Sequence, residues 1–215
     1  MRKLALKLAH SVSSSLGFDD EKEAVIAYGL IAVFQTFLTL CLVFIFGLLI
    51  GVPVEALIVC FTGSFLRKYS GGAHAKTAEL CTAFSVLYCA GMAAVSRYLL
   101  TPLYHPVLMA AAAGVVFILA FIAVHKFAPV DSPNKPIRTE AKKRRMRKGS
   151  FTVLVFYFVV LVFLLILAFS HKAAGTYMIS MLFGLGWQVF TLTHPGAQFI
   201  GVINTIADFG KEVRR

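Results

Sequence analysis

Charge is scarce in this 215-residue chain: Asp, Glu, Lys and Arg make up 14% of it, against about 25% in a soluble globular protein. Acidic residues are the scarcer sign, ten against 21 Lys and Arg. Hydrophobic residues, at 59%, exceed the soluble norm of about 45–50%. Together these exclude an ordinary soluble domain and point to an integral membrane protein. The formal net charge of +11 would suggest nucleic acid in a soluble chain. Here the basic residues lie between apolar runs, where they set orientation and meet anionic lipid headgroups, so no nucleic-acid partner is expected.

Cysteine is also sparse. Cys41, Cys60, Cys81 and Cys89 have no paired zinc spacing, and four cysteines on a long apolar chain do not make a disulfide framework. A metal centre built on Cys81 and the nearby His74 would lack at least two ligands, so neither metal nor cofactor is expected. A secretory signal peptide is not expected either, because Lys7 and His10 interrupt the first apolar run and no small-residue cleavage site follows.

What is present is a series of apolar segments, read as one integral membrane domain over 1–215. In the arm 1–23, Leu4, Leu8, Val12 and Leu16 recur every four residues, the pattern of an interfacial amphipathic helix. Residues 24–50 form a first span, long enough for a hydrocarbon core of about 30 Å. After Gly51, Val52 and Pro53, residues 54–66 are short for a crossing and read as a span in thinned bilayer or a re-entrant element. Residues 78–97 and 106–125 form spans three and four, so that 24–125 holds the first four spans and the polar loop 67–81. The loop 126–149 carries nine Lys or Arg and two acids, centred on Lys142–Lys148. The section 150–192 holds the last two spans, at 151–170 and 176–192, joined by a tight turn at 171–175, with Tyr177 and Trp187 as interfacial anchors. The tail 193–215 is weakly amphipathic. The expected fold is therefore all-α and polytopic, with about six transmembrane helices. Lys and Arg concentrate in the arm, the 67–76 loop, the 126–149 loop and the tail, which predicts both termini in the cytoplasm. His74 and Cys81 then lie at the cytoplasmic face.

Within RKYSGGAHAKTAELC (Arg67 to Cys81), Cys81 supplies a thiol, His74 an imidazole, and Gly71 and Gly72 a backbone break, the parts of a cysteine nucleophile with its base. On one continuous helix the two side chains would sit about 10.5 Å apart, beyond the roughly 2.6–3.2 Å a nucleophile and base need. The glycine pair must therefore fold the His74 segment back over the next helix. If Thr77 caps that helix, Cys81 falls about one turn in, near the helix start that attracts negative charge; Lys76 adds to this and Glu79 opposes it. The bland alternative is a buried small thiol and a solvated loop histidine. His125 reaches the same surface as an interfacial residue. Two further functional classes stay open. One is a small transporter or channel with incidental His and Cys, against which the spans hold almost no charge. The other is a membrane scaffold with a basic lipid-binding loop.

The stretch RKYSGGAHAKTAELC, followed by APVDSPNKPI (Ala128 to Ile137), resembles the accessory gene regulator B (AgrB) family of membrane cysteine endopeptidases, which process precursors of cyclic quorum-sensing peptides in bacteria. Two motifs in order, in a chain of the right size, cover most of the protein. The resemblance implies Cys81 as nucleophile, His74 as base, and Gly71 and Gly72 as the glycines before it. It implies unassigned roles for Arg67, Asp131, Ser132, Asn134, Lys135 and Pro136, with Asp131 or Asn134 as an orienting third group and a polar turn as their alternative. It further implies a precursor partner with an amphipathic leader, residence in the bacterial cell membrane and cyclisation to a lactone or thiolactone. A homodimer is compatible with a membrane enzyme of this size.

Overall fold

The computed structural model describes residues 2–73, 75–130 and 139–212. His74 and the positions Asp131, Ser132, Asn134, Lys135 and Pro136 fall outside them. The described chain is helical: α1 (Arg2–Leu16), α2 (Asp20–Leu49), α3 (Pro53–Ser70), α4 (Ala78–Ala94) continued by a π-helical segment (Val95–Leu100), α5 (Pro106–Phe127), α6 (Glu140–Ala168), α7 (Lys172–Leu192) and α8 (His194–Glu212). It packs as two compact units, residues 1–42 and 43–215.

In the first unit, Gly17 at φ +64 ends α1, with the Ser13 hydroxyl donating to the Phe18 carbonyl at 3.3 Å. The Asp19 carboxylate accepts the Lys22 amide at 2.9 Å and so caps α2. Leu4, Leu8, Val12 and Leu16 are all exposed, as an apolar face meant for an interface would be.

In the second unit α7 is the central element, packed against α3, α5 and α6 and touching α4 and α8. Its sequence allows this because small residues admit close neighbours. A Cβ added at Gly184 would stand 2.5 Å from the Val59 carbonyl oxygen of α3. Leu66, Phe117, Val124, Leu154, Tyr157, Met178 and Leu185 fill the space between α3, α5, α6 and α7, and the Tyr157 hydroxyl, otherwise an unsatisfied group in a dry core, donates to the Thr62 carbonyl at 2.8 Å.

Four helical stretches, Asp20–Leu49, Ala78–Leu100, Pro106–Phe127 and Glu140–Ala168, are long and apolar enough to cross a membrane. Among the described residues these match the expected first, third, fourth and fifth spans, the first and fifth ending one and two residues earlier than read. The expected second and sixth spans correspond to α3 and α7, which are helices but lack that apolarity: α3 carries Glu55, Arg67 and Lys68, and α7 carries Thr176, Ser180, Gln188 and Thr191. Both are sheltered by neighbours.

Several boundaries differ from the sequence reading. Helix α3 runs from Pro53 to Ser70, so the short segment 54–66 is extended and residues 67–70, read as loop, are helical. The basic stretch is not a loop throughout, since α6 begins at Glu140. The Thr139 hydroxyl accepts the Lys142 amide at 3.3 Å, and Lys and Arg are good helix formers. The turn before α7 is shorter than 171–175, because helix begins at Lys172. The tail is a full helix, α8, whose first turn is tied to α7 by the Gly196 amide donating to the Thr193 hydroxyl at 3.2 Å.

The two ends of the second unit differ in character. At one, a buried Glu55 carboxylate (2% exposed) meets Arg97 at 2.8 Å. Thr101 and Thr176 hydroxyls pair at 2.9 Å, and the Tyr98 hydroxyl donates to the Ile50 carbonyl at 2.7 Å. The π-helical segment places Arg97 for this pairing, with the Thr101 amide reaching back five residues to the Ser96 carbonyl at 2.9 Å. At the other end the C-termini of α3, α5 and α7 meet the N-terminus of α4 and the start of α8. The glycine loop lies there.

Candidate active site

Helix α3 ends because Gly71 turns the chain. Its φ of +69 and the φ of +133 at Gly72 are backbone conformations that favour glycine. The Gly71 amide still donates to the Arg67 carbonyl at 3.0 Å. Beyond the loop, Thr77 caps α4 as its sequence position suggests: its hydroxyl accepts the Leu80 amide at 3.2 Å, and the Cys81 amide donates to the Thr77 carbonyl at 3.1 Å. Cys81 therefore stands in the first turn of α4, half-buried. The other three cysteines lie within helices; Cys60 and Cys89 are buried.

Arg67 ties the end of α3 to the loop: its guanidinium donates to the Ala73 carbonyl, the residue before His74. The buried Arg67 Nε has no hydrogen-bond partner among the described residues.

The loop is held from three further sides. The Val130 amide, at the start of the second sequence motif, donates to the Ser70 carbonyl at 2.9 Å; a Cβ at Gly71 would run into the Val130 carbonyl. From α7, the Gln188 amide nitrogen donates to the Gly71 carbonyl at 2.7 Å and to the Ser70 hydroxyl at 3.0 Å, and the Ala73 amide donates to the Thr191 carbonyl at 3.0 Å. From α8, the Asn204 side-chain oxygen accepts the Lys76 amide at 2.9 Å, and the Lys76 ammonium pairs with Asp208 at 3.0 Å. Gln188, Thr191 and Asn204 did not emerge from the sequence reading. A lone amide in a stretch read as membrane-embedded was a usable signal for Gln188, because polar groups there are expensive.

An aromatic cluster lies beyond Cys81. Phe84, one turn along α4, packs against Trp187 with ring centres 5.2 Å apart, Tyr88 lies 4.6 Å from the same indole, and Phe199 of α8 closes on Phe190 at 5.9 Å. Trp187, read from sequence as an interfacial anchor, thus joins α4, α7 and α8. His125 lies at the same end, on α5, where its carbonyl accepts from Arg147. Among the described residues no three His, Cys, Asp or Glu side chains converge as metal ligands would.

The structure therefore brings Arg67, Gly71, Gly72, Cys81 and the start of the second motif to one end of the unit. That is the arrangement of a strained, hydrogen-bonded loop beside a partly accessible thiol.

The chain is similar to known proteins over most of its length. The model of the family described as accessory gene regulator B matches residues 5–192. "Putative AgrB-like protein 2" of Clostridium perfringens strain 13 is 38% identical over 205 residues, covering 94% of this chain and 95% of its own. "Putative AgrB-like protein" of Clostridium perfringens strain SM101 is 36% identical over 212 residues, covering 97% and 98%. A protein with the same description from Halalkalibacterium halodurans is 28% identical over 160 residues, covering 74% and 76%. No solved structure matches the chain. With both sequence motifs inside the matched region and near-complete coverage of two relatives, this chain belongs to the accessory gene regulator B family, which acts in autoinducer-peptide processing in quorum sensing.

Proposed function

We propose that the protein is a membrane cysteine endopeptidase that cleaves a quorum-sensing precursor peptide and closes its product into a ring. The observation that carries this reading is the loop between two helices: Gly71 and Gly72 turn the chain at positive φ, Arg67 binds the Ala73 carbonyl next to His74, and Thr77 caps the helix whose first turn holds Cys81. The segment before His74 and the thiol are thus set at one end of the unit, as a base and its nucleophile must be.

In this mechanism His74 accepts the Cys81 thiol proton and the sulfur attacks the scissile carbonyl of the precursor. The tetrahedral intermediate collapses as the C–N bond breaks, and His74 returns its proton to the departing amine of the C-terminal fragment. The N-terminal part remains as a thioester on Cys81. A cysteine thiol or serine hydroxyl within that same peptide attacks the thioester, its proton passing to His74, and the released Cys81 is reprotonated as the ring closes. The aromatic wall of Phe84, Tyr88 and Trp187 limits water at the thioester, which favours ring closure over hydrolysis.

The site operates at the cytoplasmic face, with α3 and α7 completing six crossings and both termini inside. The basic helix start at Lys142–Lys148 meets anionic headgroups, and the precursor arrives along the membrane on an amphipathic leader. Asp131 or Asn134 orients His74, since Val130 anchors their segment to Ser70.

Mass spectrometry of a precursor incubated with purified protein in liposomes tests the reading. Cleavage and a cyclic product are expected for the parent and neither for Cys81→Ala or His74→Ala. Undiminished cleavage by either variant would sink the mechanism.

A further inference from the structure

Gln188 is 1% exposed and lies on α7, far in sequence from the glycine loop, yet its side chain makes two hydrogen bonds there. Its orientation is fixed by chemistry. The Gly71 carbonyl can only accept, so the side-chain atom 2.7 Å from it must be the amide nitrogen. The second N–H of that nitrogen goes to the Ser70 hydroxyl. That hydroxyl in turn donates to the Leu66 carbonyl at 3.0 Å, which leaves its lone pairs facing Gln188. The Thr191 hydroxyl donates to the Gln188 backbone carbonyl at 2.9 Å and stands 3.3 Å from the remaining oxygen, Oε1. Both donors of the amide are thus engaged by the loop.

The contacts bracket the strained part of the chain. Gln188 holds Ser70 and Gly71 on one side, while Thr191, one turn on, takes the Ala73 amide on the other. Between them Gly72 lies so close to α7 that a Cβ would stand 2.9 Å from the Thr191 hydroxyl oxygen and 3.3 Å from Gln188 Nε2. Core packing alone would be served as well by a methionine or leucine, since burying an amide is costly unless every polar atom is matched. The amide matches the Ser70 hydroxyl and the Gly71 carbonyl, at the point where the chain leaves α3.

We infer that Gln188 is a positioning residue for the His74 base. By fixing Ser70 and Gly71 it sets the path of the chain through Ala73, the residue before His74. This rests on the assignment of His74 and Cys81 as base and nucleophile.

The test is the pH profile of Cys81 alkylation by iodoacetamide, followed peptide by peptide by mass spectrometry on the full chain in detergent. It compares the parent with His74→Ala, Gln188→Met, the similarly sized Gln188→Glu, and the His74→Ala/Gln188→Met double variant, with thermal midpoints recorded for each. Expected is a shift of the profile to higher pH in His74→Ala and in both Gln188 variants, with the double variant no further shifted than His74→Ala alone. Precursor turnover by Gln188→Met should fall on the order of 10- to 100-fold with KM held within about twofold. If Gln188→Met fails to fold, Gln188→Glu decides, since it keeps the side-chain volume and sets an acceptor against the Gly71 carbonyl. Parent-like profiles in the folded Gln188 variants beside a shifted His74→Ala, or additive shifts in the double variant, overturn the positioning role alone. An unshifted His74→Ala profile overturns the catalytic assignment and the positioning role with it.

Discussion

The Val130 amide donates to the Ser70 carbonyl at 2.9 Å, and this bond joins the two stretches of sequence that carry the family resemblance. The loop bearing the glycine pair is thereby shaped by a segment two helices away in the chain.

Gly71→Ala should therefore abolish precursor cleavage. The substitution strains a backbone at φ +69 and drives a methyl into the Val130 carbonyl, so the loop must move. Gly91→Ala is the control: it lies within α4 with open space around it, and a helical Gly→Ala change stabilises by about 1 kcal/mol. Cleavage rates and thermal midpoints of both variants check this, and a fully active Gly71→Ala would contradict the account of the loop.

On α7, Gly184→Ala and Gly186→Ala should diverge. At 184 a methyl meets the Val59 carbonyl at 2.5 Å, whereas at 186 it meets nothing within 4 Å. Overpacking of a tight crossing costs about 1–3 kcal/mol, so Gly184→Ala should lower the unfolding midpoint in detergent, read from Trp187 fluorescence, while Gly186→Ala leaves it unchanged or raised.

Removing Arg97 should cost more than removing most surface charges. Arg97→Met leaves the buried Glu55 carboxylate without its 2.8 Å partner. Because the arginine is itself half-exposed, the loss should fall below the roughly 3–5 kcal/mol of a fully buried pair. Adding Glu55→Gln to Arg97→Met should restore part of it, and a double-variant cycle of denaturation free energies measures how much.

The two α8 contacts to Lys76 should separate cleanly. Asn204→Ala deprives the Lys76 amide of its acceptor and should lower turnover several-fold, since a misplaced catalytic loop is costly. Asp208→Ala removes only an exposed ion pair, of the kind worth about 0–1 kcal/mol, and should leave turnover near the parent. Steady-state rates with a precursor peptide discriminate them; equal losses would mean that α8 acts through its charge.

Much of the frame was legible in the sequence because it is local. Apolar runs marked α2, α4, α5 and the apolar part of α6; the glycine pair marked the break after α3, and Thr77 its following cap. The start of α6 was hidden because a run of Lys and Arg reads as a loop by charge, although those residues favour helix once Thr139 caps them. The holders of the loop were hidden for another reason. Gln188, Thr191 and Asn204 act on residues more than a hundred positions away, and the Glu55–Arg97 pair likewise crosses from one helix to another. Such pairings leave no periodic trace along the chain. His74 was legible as an imidazole between the glycine pair and Cys81, whereas Asp131, Asn134 and Lys135 were nameable only through the motif that contains them.

The bond from the Lys76 amide to Asn204 also has a meaning in time. Chains are made from the N-terminus at roughly 5–20 residues per second, so Cys81 and its loop emerge well before residue 204 exists. Until α8 is synthesised the loop lacks one of its fixed points. A nascent chain that has not yet reached Asn204 therefore carries the thiol beside a loop still short of one of its fixed points.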